Sequence, residues 1–266
     1  MDARLPDAFL KSVVELLPTQ GPPGPQGGRP EIEHAVAVRV IWFVLTVGCR
    51  WKDVPPEMGC SGETARTRLK LWQEAGLWEQ VHHRILRELK RRGRLELATT
   101  MIDSAQVRAF GGGDRSGPNP VDRRKPGTKD TVLVDAHGTP LAMQSAAANI
   151  SDHRQILSTV VRSPQIGGTP GRPRNHPTKL YADAGYDSNA TREVLMVMSI
   201  EPLIRRRKTP HGSQLGKVRW VVERTISWIK GLRRMRIRYD RHPTIIDAWN
   251  HLALAAVCFR ILCQPD

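Results

Sequence analysis

From Ile32 onward, apolar residues recur at Val36, Val40, Phe43, Val44 and Val47, the i, i+4, i+7, i+8 spacing of an amphipathic helix that Gly48 can end. Ser61 reads as an N-cap with Glu63 in the first turn, opening a second helix that carries Arg66, Arg68 and Lys70 before Trp72. A third helical pattern runs from Trp78 to Arg92. Residues 32–93 therefore predict a small helical bundle, with helix-turn-helix as one candidate arrangement. Upstream, Pro18 to Pro30 holds five prolines and four glycines, which suits a linker or surface loop after a short amphipathic start.

The period changes after Leu97. Ala98 to Asp103 is a β-prone run that ends in an acid. Gly111 to Asp130 is too long and too rich in glycine and proline for a simple hairpin turn, and predicts a functional or mobile loop. Val132-Leu133-Val134 and Leu141-Ala142-Met143 flank a turn containing Gly138, Asp152 to Val161 patterns as helix, and Ser163 to Pro177 is a second broken loop. Lys179 to Ala182 is a strand running into Asp183. A helix from Ser188 to Met198, a strand from Pro202 to Arg205 and a long helix from about Leu215 to Arg234 follow. The alternation predicts an α/β fold with a mixed sheet.

With 266 residues, 39% of them hydrophobic and 25% charged, the chain is long enough for one substantial domain plus a smaller module, and disorder is excluded. Ile245 to Leu262 is the most apolar stretch, but Asp247, Asn250, His251 and Arg260 interrupt it, so it reads as a buried helix and not a membrane span. Met1 to Leu17 has no basic-then-apolar signal pattern, and Cys49, Cys60, Cys258 and Cys263 form no CxxC pair. A cytoplasmic protein with reduced thiols is expected. The 41 Lys and Arg against 26 Asp and Glu leave +15, which points to a polyanionic partner. Between Glu201 and Arg241 thirteen basic residues face only three acidic ones, so this stretch is either a solvated face or a track for a phosphate backbone.

Three carboxylates stand out by position. Asp103 and Asp183 each close a predicted strand and Glu223 lies on the helix after the last strand, so one sheet end could gather all three. Unit charges about 5 Å apart repel by roughly 3 kcal/mol at an effective dielectric near 20, so such a cluster needs cations, and Mg²⁺ suits oxygen ligands. On the long helix Arg219, Glu223 and Lys230 share one side, bordering a stripe of Val218, Val222, Thr225, Ile229 and Leu232. By spacing alone, Arg219 and Glu223 read equally as a solvated i, i+4 ion pair.

At Arg219-Trp220-Val221-Val222-Glu223-Arg224-Thr225 and Lys230, the chain resembles the DDE transposases of bacterial insertion sequences, in the group whose last motif is Tyr-x2-Arg-x3-Glu-x6-Lys. Arg233-Arg234 and Arg238-Tyr239 continue the likeness. Ala182-Asp183-Ala184-Gly185-Tyr186-Asp187-Ser188 is similar to the family's second-Asp motif and Ile102-Asp103-Ser104 to its first. Gly117-Pro118-Asn119-Pro120, Gly127-Thr128-Lys129 and Gly48 to Pro56 are similar to its connecting segments, so the likeness spans about Arg29 to Arg260. Gly216 stands where the motif has Tyr, a departure that leaves the carboxylate in place.

The resemblance implies an RNase H-like catalytic domain over 94–266, after an N-terminal segment (1–31) and a helical DNA-binding module (32–93). It implies that Asp103, Asp183 and Glu223 are catalytic and bind two Mg²⁺ ions, for which Mn²⁺ may substitute, to cut double-stranded DNA at terminal inverted repeats and join the 3′ hydroxyl to target DNA. Pairing two ends implies a homodimer or larger assembly on DNA. Arg219, Lys230, Arg233, Arg234 and Arg238 are then expected on the DNA track, and Arg66, Arg68 and Lys70 as contacts of the N-terminal module. The alternative is a catalytically silent DNA-binding remnant, and a third is a nuclease that never joins. Asp187 is expected to cap a helix, Asp135 to sit in a turn, and Asp152-His153 and His82-His83 to be surface or supporting residues. Trp220 and Trp228 either pack or stack on an extruded base.

Overall fold

The computed structural model describes residues 4–21, 31–169, 172–174, 176–207 and 216–265. Most of the proposed linker, Pro22 to Pro30, lies outside them, but its start is not free chain. The Gln20 side chain donates to the Ile32 carbonyl (2.9 Å) and accepts the His34 N–H (3.1 Å), tying it to the first long helix.

Four helices come first: α1 (Asp7–Val14), α2 (His34–Val47), α3 (Gly62–Glu74) and α4 (Leu77–Arg91). Gly48 ends α2 at φ 78°, a left-handed conformation that costs glycine little. Ser61 caps α3 as expected, its hydroxyl accepting the Thr64 N–H at 3.1 Å. Ala75 and Gly76 alone separate α3 from α4, which buries Leu77, Trp78, Val81, His82, Ile85, Leu86 and Leu89 on one face. Each fully buried side chain of this size contributes about 1.5–3 kcal/mol.

The sheet chain follows as β1 (Thr99–Ala109), β2 (Gly117–Pro118), β3 (Pro126–Asp135), β4 (Pro140–Ala147), α5 (Ile156–Val161), a small hairpin of β5 (Gly167–Thr169) and β6 (Arg172–Arg174), β7 (Lys179–Ala182), α6 (Asn189–Val197), β8 (Glu201–Ile204), α7 (Gly216–Gly231), β9 (Ile237–Arg238) and α8 (Pro243–Leu262). The main sheet runs β2-β3-β1-β7-β8, with β4 on β3 and β9 on β1; β1, β7 and β8 are parallel, while β3 is antiparallel to β1 and β4. This is the mixed α/β arrangement expected.

Two readings need correction. β1 does not stop at Asp103 but continues to Ala109, because alternation persists through Val107 and Ala109, both buried. Pro126 to Asp130 is strand and not loop, since β3 pairs with β1 all the way from Arg108↔Gly127 to Thr100↔Asp135. Local composition suggested a break, and cross-strand pairing overrode it.

Helix α8 is long and apolar enough to cross a membrane by length and composition, yet it forms the centre of the fold, with buried Ile245, Trp249, Leu252 and Val257 among its contacts. It packs on β4 and on α3 and α4, and Phe9 of α1 meets both Trp42 of α2 (5.0 Å) and Phe259 of α8 (5.3 Å). The helical bundle and the sheet therefore share one core. At the seam, Trp51 stacks on Trp249 (5.5 Å), while Gly62 approaches so closely that an added Cβ would lie 1.8 Å from the Trp51 carbonyl oxygen.

Inside the sheet, Asp130 is buried and accepts the Ser145 hydroxyl at 2.6 Å, and Asn250 of α8 donates to the same hydroxyl at 2.9 Å. Burial pushes the Asp130 carboxyl up to about 6, against the pull of Ser145, Arg238, Lys230 and Arg115.

Two measurements follow from this packing. Gly62→Ala should destabilise the chain by about 1–3 kcal/mol or more, read as a drop in urea midpoint, because backbone must move to admit the methyl. The folded state keeps the proton on Asp130 where the unfolded chain has lost it, so stability contributed below about pH 4 is lost as pH rises through about 6, on the order of 3 kcal/mol. Asp130→Asn should flatten the urea-midpoint profile between pH 4 and 6; an unchanged slope would refute the assignment.

Candidate active site

Parallel pairing sets the first two carboxylates. Thr99, Thr100 and Met101 of β1 face Lys179, Leu180 and Tyr181 of β7, and the same register carried two residues on puts Asp103 beside Asp183. Neighbouring strands lie about 4.8 Å apart, so the acids are neighbours by backbone geometry. Asp103 is thus in the middle of β1, while Asp183 follows the end of β7, as expected.

Each aspartate commits one oxygen to its own backbone. Asp103 Oδ1 accepts the Ser104 N–H and Asp183 Oδ1 the Gly185 N–H, both at 2.8 Å. The Oδ2 atoms turn to a common centre, the Arg219 guanidinium on α7, at 3.3 Å from Asp103 and 3.8 Å from Asp183. Glu223, one turn on, meets the same Arg219 Nη2 at 3.4 Å. The spacing that also fitted a solvated ion pair therefore belongs to a three-carboxylate cluster.

Helix α7 is delivered there by its docking. Val222, Thr225, Ile229 and Leu232 are buried as the stripe requires, and the Val218 side chain lies outside the description. The Thr225 hydroxyl donates to the Gly138 carbonyl at 2.6 Å. Gly138 has φ 89° in the hairpin turn, and an added Cβ would meet Arg224, Thr225 and Val221 at 2.8–3.0 Å. Asp135 is the turn residue expected, accepting N–H groups from Glu96, His137 and Thr139.

Side-chain exposure rises from 15% at Asp103 through 35% at Asp183 to 57% at Glu223, so the cluster opens to solution on the α7 side. Burial raises the Asp103 carboxyl above the usual range; the Ser104 N–H and Arg219 oppose this, and Asp183 adds to it. Among the described residues no three His, Cys, Asp or Glu side chains close into a cage for an ion. The acids gather around a guanidinium instead. The donor set still fits a hard divalent cation, because all of it is carboxylate oxygen and one arginine leaves it short of positive charge.

The other site expectations divide. Lys230 forms no ion pair with the trio, and its charge acts on buried Asp130. Arg233 is exposed. Arg234 and Arg238 are corrected: Arg234 is buried, bonded to Asp240 at 2.7 Å and to the Cys49 carbonyl, and Arg238 is buried against the Asp240 and Gly112 carbonyls. Both brace the fold and offer no surface charge. Arg66, Arg68 and Lys70 are partly exposed and paired with Glu63, Glu31 and Glu74. Lys208 of the basic stretch lies outside the described residues.

Further corrections concern supporting residues. Asp187 does not cap α6, whose N-cap is Ser188; it pairs with Arg192 at 2.8 Å and accepts the Arg207 N–H. His82 is fully buried, bonded to the Pro140 carbonyl, with its pKa lowered by burial to about 3. Trp220 is half exposed, and Arg224 lies over both its ring (4.6 Å) and that of Trp228 (4.7 Å). Asp152, Lys129 and Tyr186 adjoin the cluster, and no periodicity in the chain marked Lys129 or Tyr186 for it.

A mixed sheet with one aspartate on β1, a second just past the end of parallel β7, and a glutamate brought in by a crossing helix is the arrangement expected of an RNase H-like core. A family model described as "Transposase DDE domain" matches residues 96–258, and one described as "Putative transposase of IS4/5 family (DUF4096)" matches residues 5–82. The chain belongs to the DDE transposases of insertion sequences. It is 44% identical over 155 residues, 58% of this chain and 74% of the relative, to the "Putative transposase for insertion sequence element IS402" of Burkholderia cepacia. It is 38% identical over 126 residues to the "Insertion element IS402 uncharacterized 16.2 kDa protein" of the same organism, covering 45% of this chain and 84% of the relative. Among solved structures, the catalytic domain of Mos1 mariner transposase aligns at 14% identity and TM-score 0.36, over 69% of this chain and 87% of that one.

Arg219→Met removes the cation the three acids share. In chelator its melting midpoint should fall by a few degrees, and saturating Mg²⁺ should raise it on the order of 5 °C more than it raises the wild type. Equal Mg²⁺ shifts in both proteins would show that Arg219 and a divalent cation do not compete for these carboxylates.

Proposed function

We propose that this chain is the transposase of an insertion sequence in the Tyr-x2-Arg-x3-Glu-x6-Lys group, with Asp103, Asp183 and Glu223 as its catalytic, metal-binding residues. With Mg²⁺, or Mn²⁺ in its place, it cuts DNA at the element's ends and joins the freed 3′ hydroxyl to target DNA. The observation that carries this is the convergence of the three carboxylates on Arg219.

Bound divalent cations would supply the charge that activates an attacking oxygen and stabilises a leaving one. The chain's own groups do the rest. Ser104 and Gly185 N–H groups fix the two aspartates with Oδ2 turned to the cleft, and burial of Asp103 keeps that end dry. Asp103, Asp183 and Glu223 would hold the cations, and the Arg219 fork, which now serves those carboxylates, would then be available to grip a phosphate beside the scissile bond. No side-chain nucleophile is needed, since water and then the DNA hydroxyl attack.

Residues 94–266 are the catalytic domain in this reading. Residues 32–93 are the DNA-binding module, following an N-terminal segment and linker over 1–31. Arg66, Arg68 and Lys70 would exchange their glutamate partners for phosphates, and Arg233 and Lys230 extend the track past α7. The partner is double-stranded DNA with terminal inverted repeats, bound by at least two copies of the chain in the cytoplasm. Gly216 at the motif's Tyr position favours one second reading, a DNA-binding remnant that no longer cuts.

The test uses purified protein, Mg²⁺, a labelled duplex carrying the inverted repeat that flanks the gene, and a supercoiled target plasmid. Wild type should yield cleaved and joined products. Asp103→Asn and Glu223→Gln should bind the end yet lose about a thousandfold or more in rate. End binding without cleavage in any sample supports the remnant, and cleavage without joining a nuclease. Cleavage that persists in both variants would place the active site elsewhere.

A further inference from the structure

Behind the trio stands a fourth carboxylate. Asp152 opens the 3-10 turn before α5, and its Oδ1 receives two donors, the Ser104 hydroxyl at 2.9 Å and the Lys129 ammonium at 2.9 Å. Lys129, on β3, is itself almost buried and also donates to the Ile150 carbonyl at 2.8 Å. Asp152 Oδ2 faces Gly185: an added Cβ there would lie 3.2 Å from it and 2.9 Å from Asp183 Oδ1. Only a residue without a side chain lets the two carboxylates flank one backbone position.

The two catalytic aspartates are therefore both tied to Asp152. Ser104 joins them on one side, holding Asp103 with its N–H and Asp152 with its hydroxyl. Gly185 stands between them on the other, its N–H bonded to Asp183 and its open Cβ side toward Asp152 Oδ2. The four carboxylates are served by two cations, Arg219 for Asp103, Asp183 and Glu223, and Lys129 for Asp152. A second, independent feature marks the same place. The Tyr186 hydroxyl is buried beside Ser104, among the charges of Asp103, Asp152 and Asp183.

We propose that Asp152, braced by Lys129, is a positioning residue of the catalytic site: it holds Asp103 through Ser104 and Asp183 across Gly185 in the geometry that takes a divalent cation. This rests on the reading of Asp103 and Asp183 as metal ligands. The Lys129 ammonium, 2.9 Å from Asp152, offsets the charge that Asp152 brings beside the two aspartates. Outer partners that orient metal ligands typically change metal affinity by about 10–100-fold when removed.

The test is Mn²⁺ binding by the full chain without DNA, followed by the electron paramagnetic resonance of free Mn²⁺, together with kcat and KM for cleavage of the flanking inverted-repeat duplex. Asp152→Asn should weaken Mn²⁺ by about tenfold or more and lower kcat, with KM for DNA unchanged. Because Asp152→Asn strands the buried Lys129 charge, the pair Asp152→Asn with Lys129→Met separates folding from positioning. It should recover wild-type thermal stability and keep the Mn²⁺ defect. Wild-type Mn²⁺ affinity in either variant overturns the proposal, and recovery in the double variant alone would reduce Asp152 to a counterion for Lys129. Asp103→Asn is the control: if it too binds Mn²⁺ as wild type does, the metal-ligand reading itself fails, whereas loss there with no loss at Asp152 sinks only this inference.

Discussion

The in-register pairing of β1 with β7 forces two carboxylates to lie side by side, and much of the surrounding structure exists to tolerate that. Backbone pairing of the two strands up to Met101 and Tyr181 delivers the aspartates to neighbouring positions two residues further on. One oxygen of each is calmed by a local N–H, and the other is neutralised by Arg219. Helix α7 supplies that arginine because its buried stripe and the Thr225 bond to Gly138 fix how far it slides along the sheet. A site held under like-charge stress in this way has a standing attraction for cations, which is the property phosphoryl transfer requires.

The basic residues divide by burial. Those closest to the core are spent internally: Arg234 on Asp240, Arg238 on backbone carbonyls, Lys129 on Asp152. Surface pairs such as Arg66 with Glu63 are weak and exchangeable, so those charges remain available to a polyanion. Net charge alone does not separate the two groups; burial does.

Helix α8 gives the molecule its unity. Its apolar length could span a bilayer, yet it serves as the shared wall between helical bundle and sheet, with Trp249 against Trp51 and Phe259 against Phe9. A helical module that shares its core with the sheet cannot swing freely, so its orientation relative to the three acids is built into the fold.

Element identity was legible along the chain because it depends on local period and capping: Ser61, Gly48, the α7 stripe and the strand before Asp183 all read correctly. The gathering of Asp103, Asp183 and Glu223 was legible too, since motif order and spacing are sequence properties. Where β1 and β3 end was not, because their outer halves are held by pairing with each other and not by their own composition. Nor was the burial of Arg234 and Arg238, or the brace of Lys129, Asp152 and Ser104. The chain by itself determined which chemistry it carries and the elements that carry it. Only tertiary structure decided which charges are satisfied inside and which face solution, because that depends on contacts between residues far apart in sequence, whose distances no local pattern encodes.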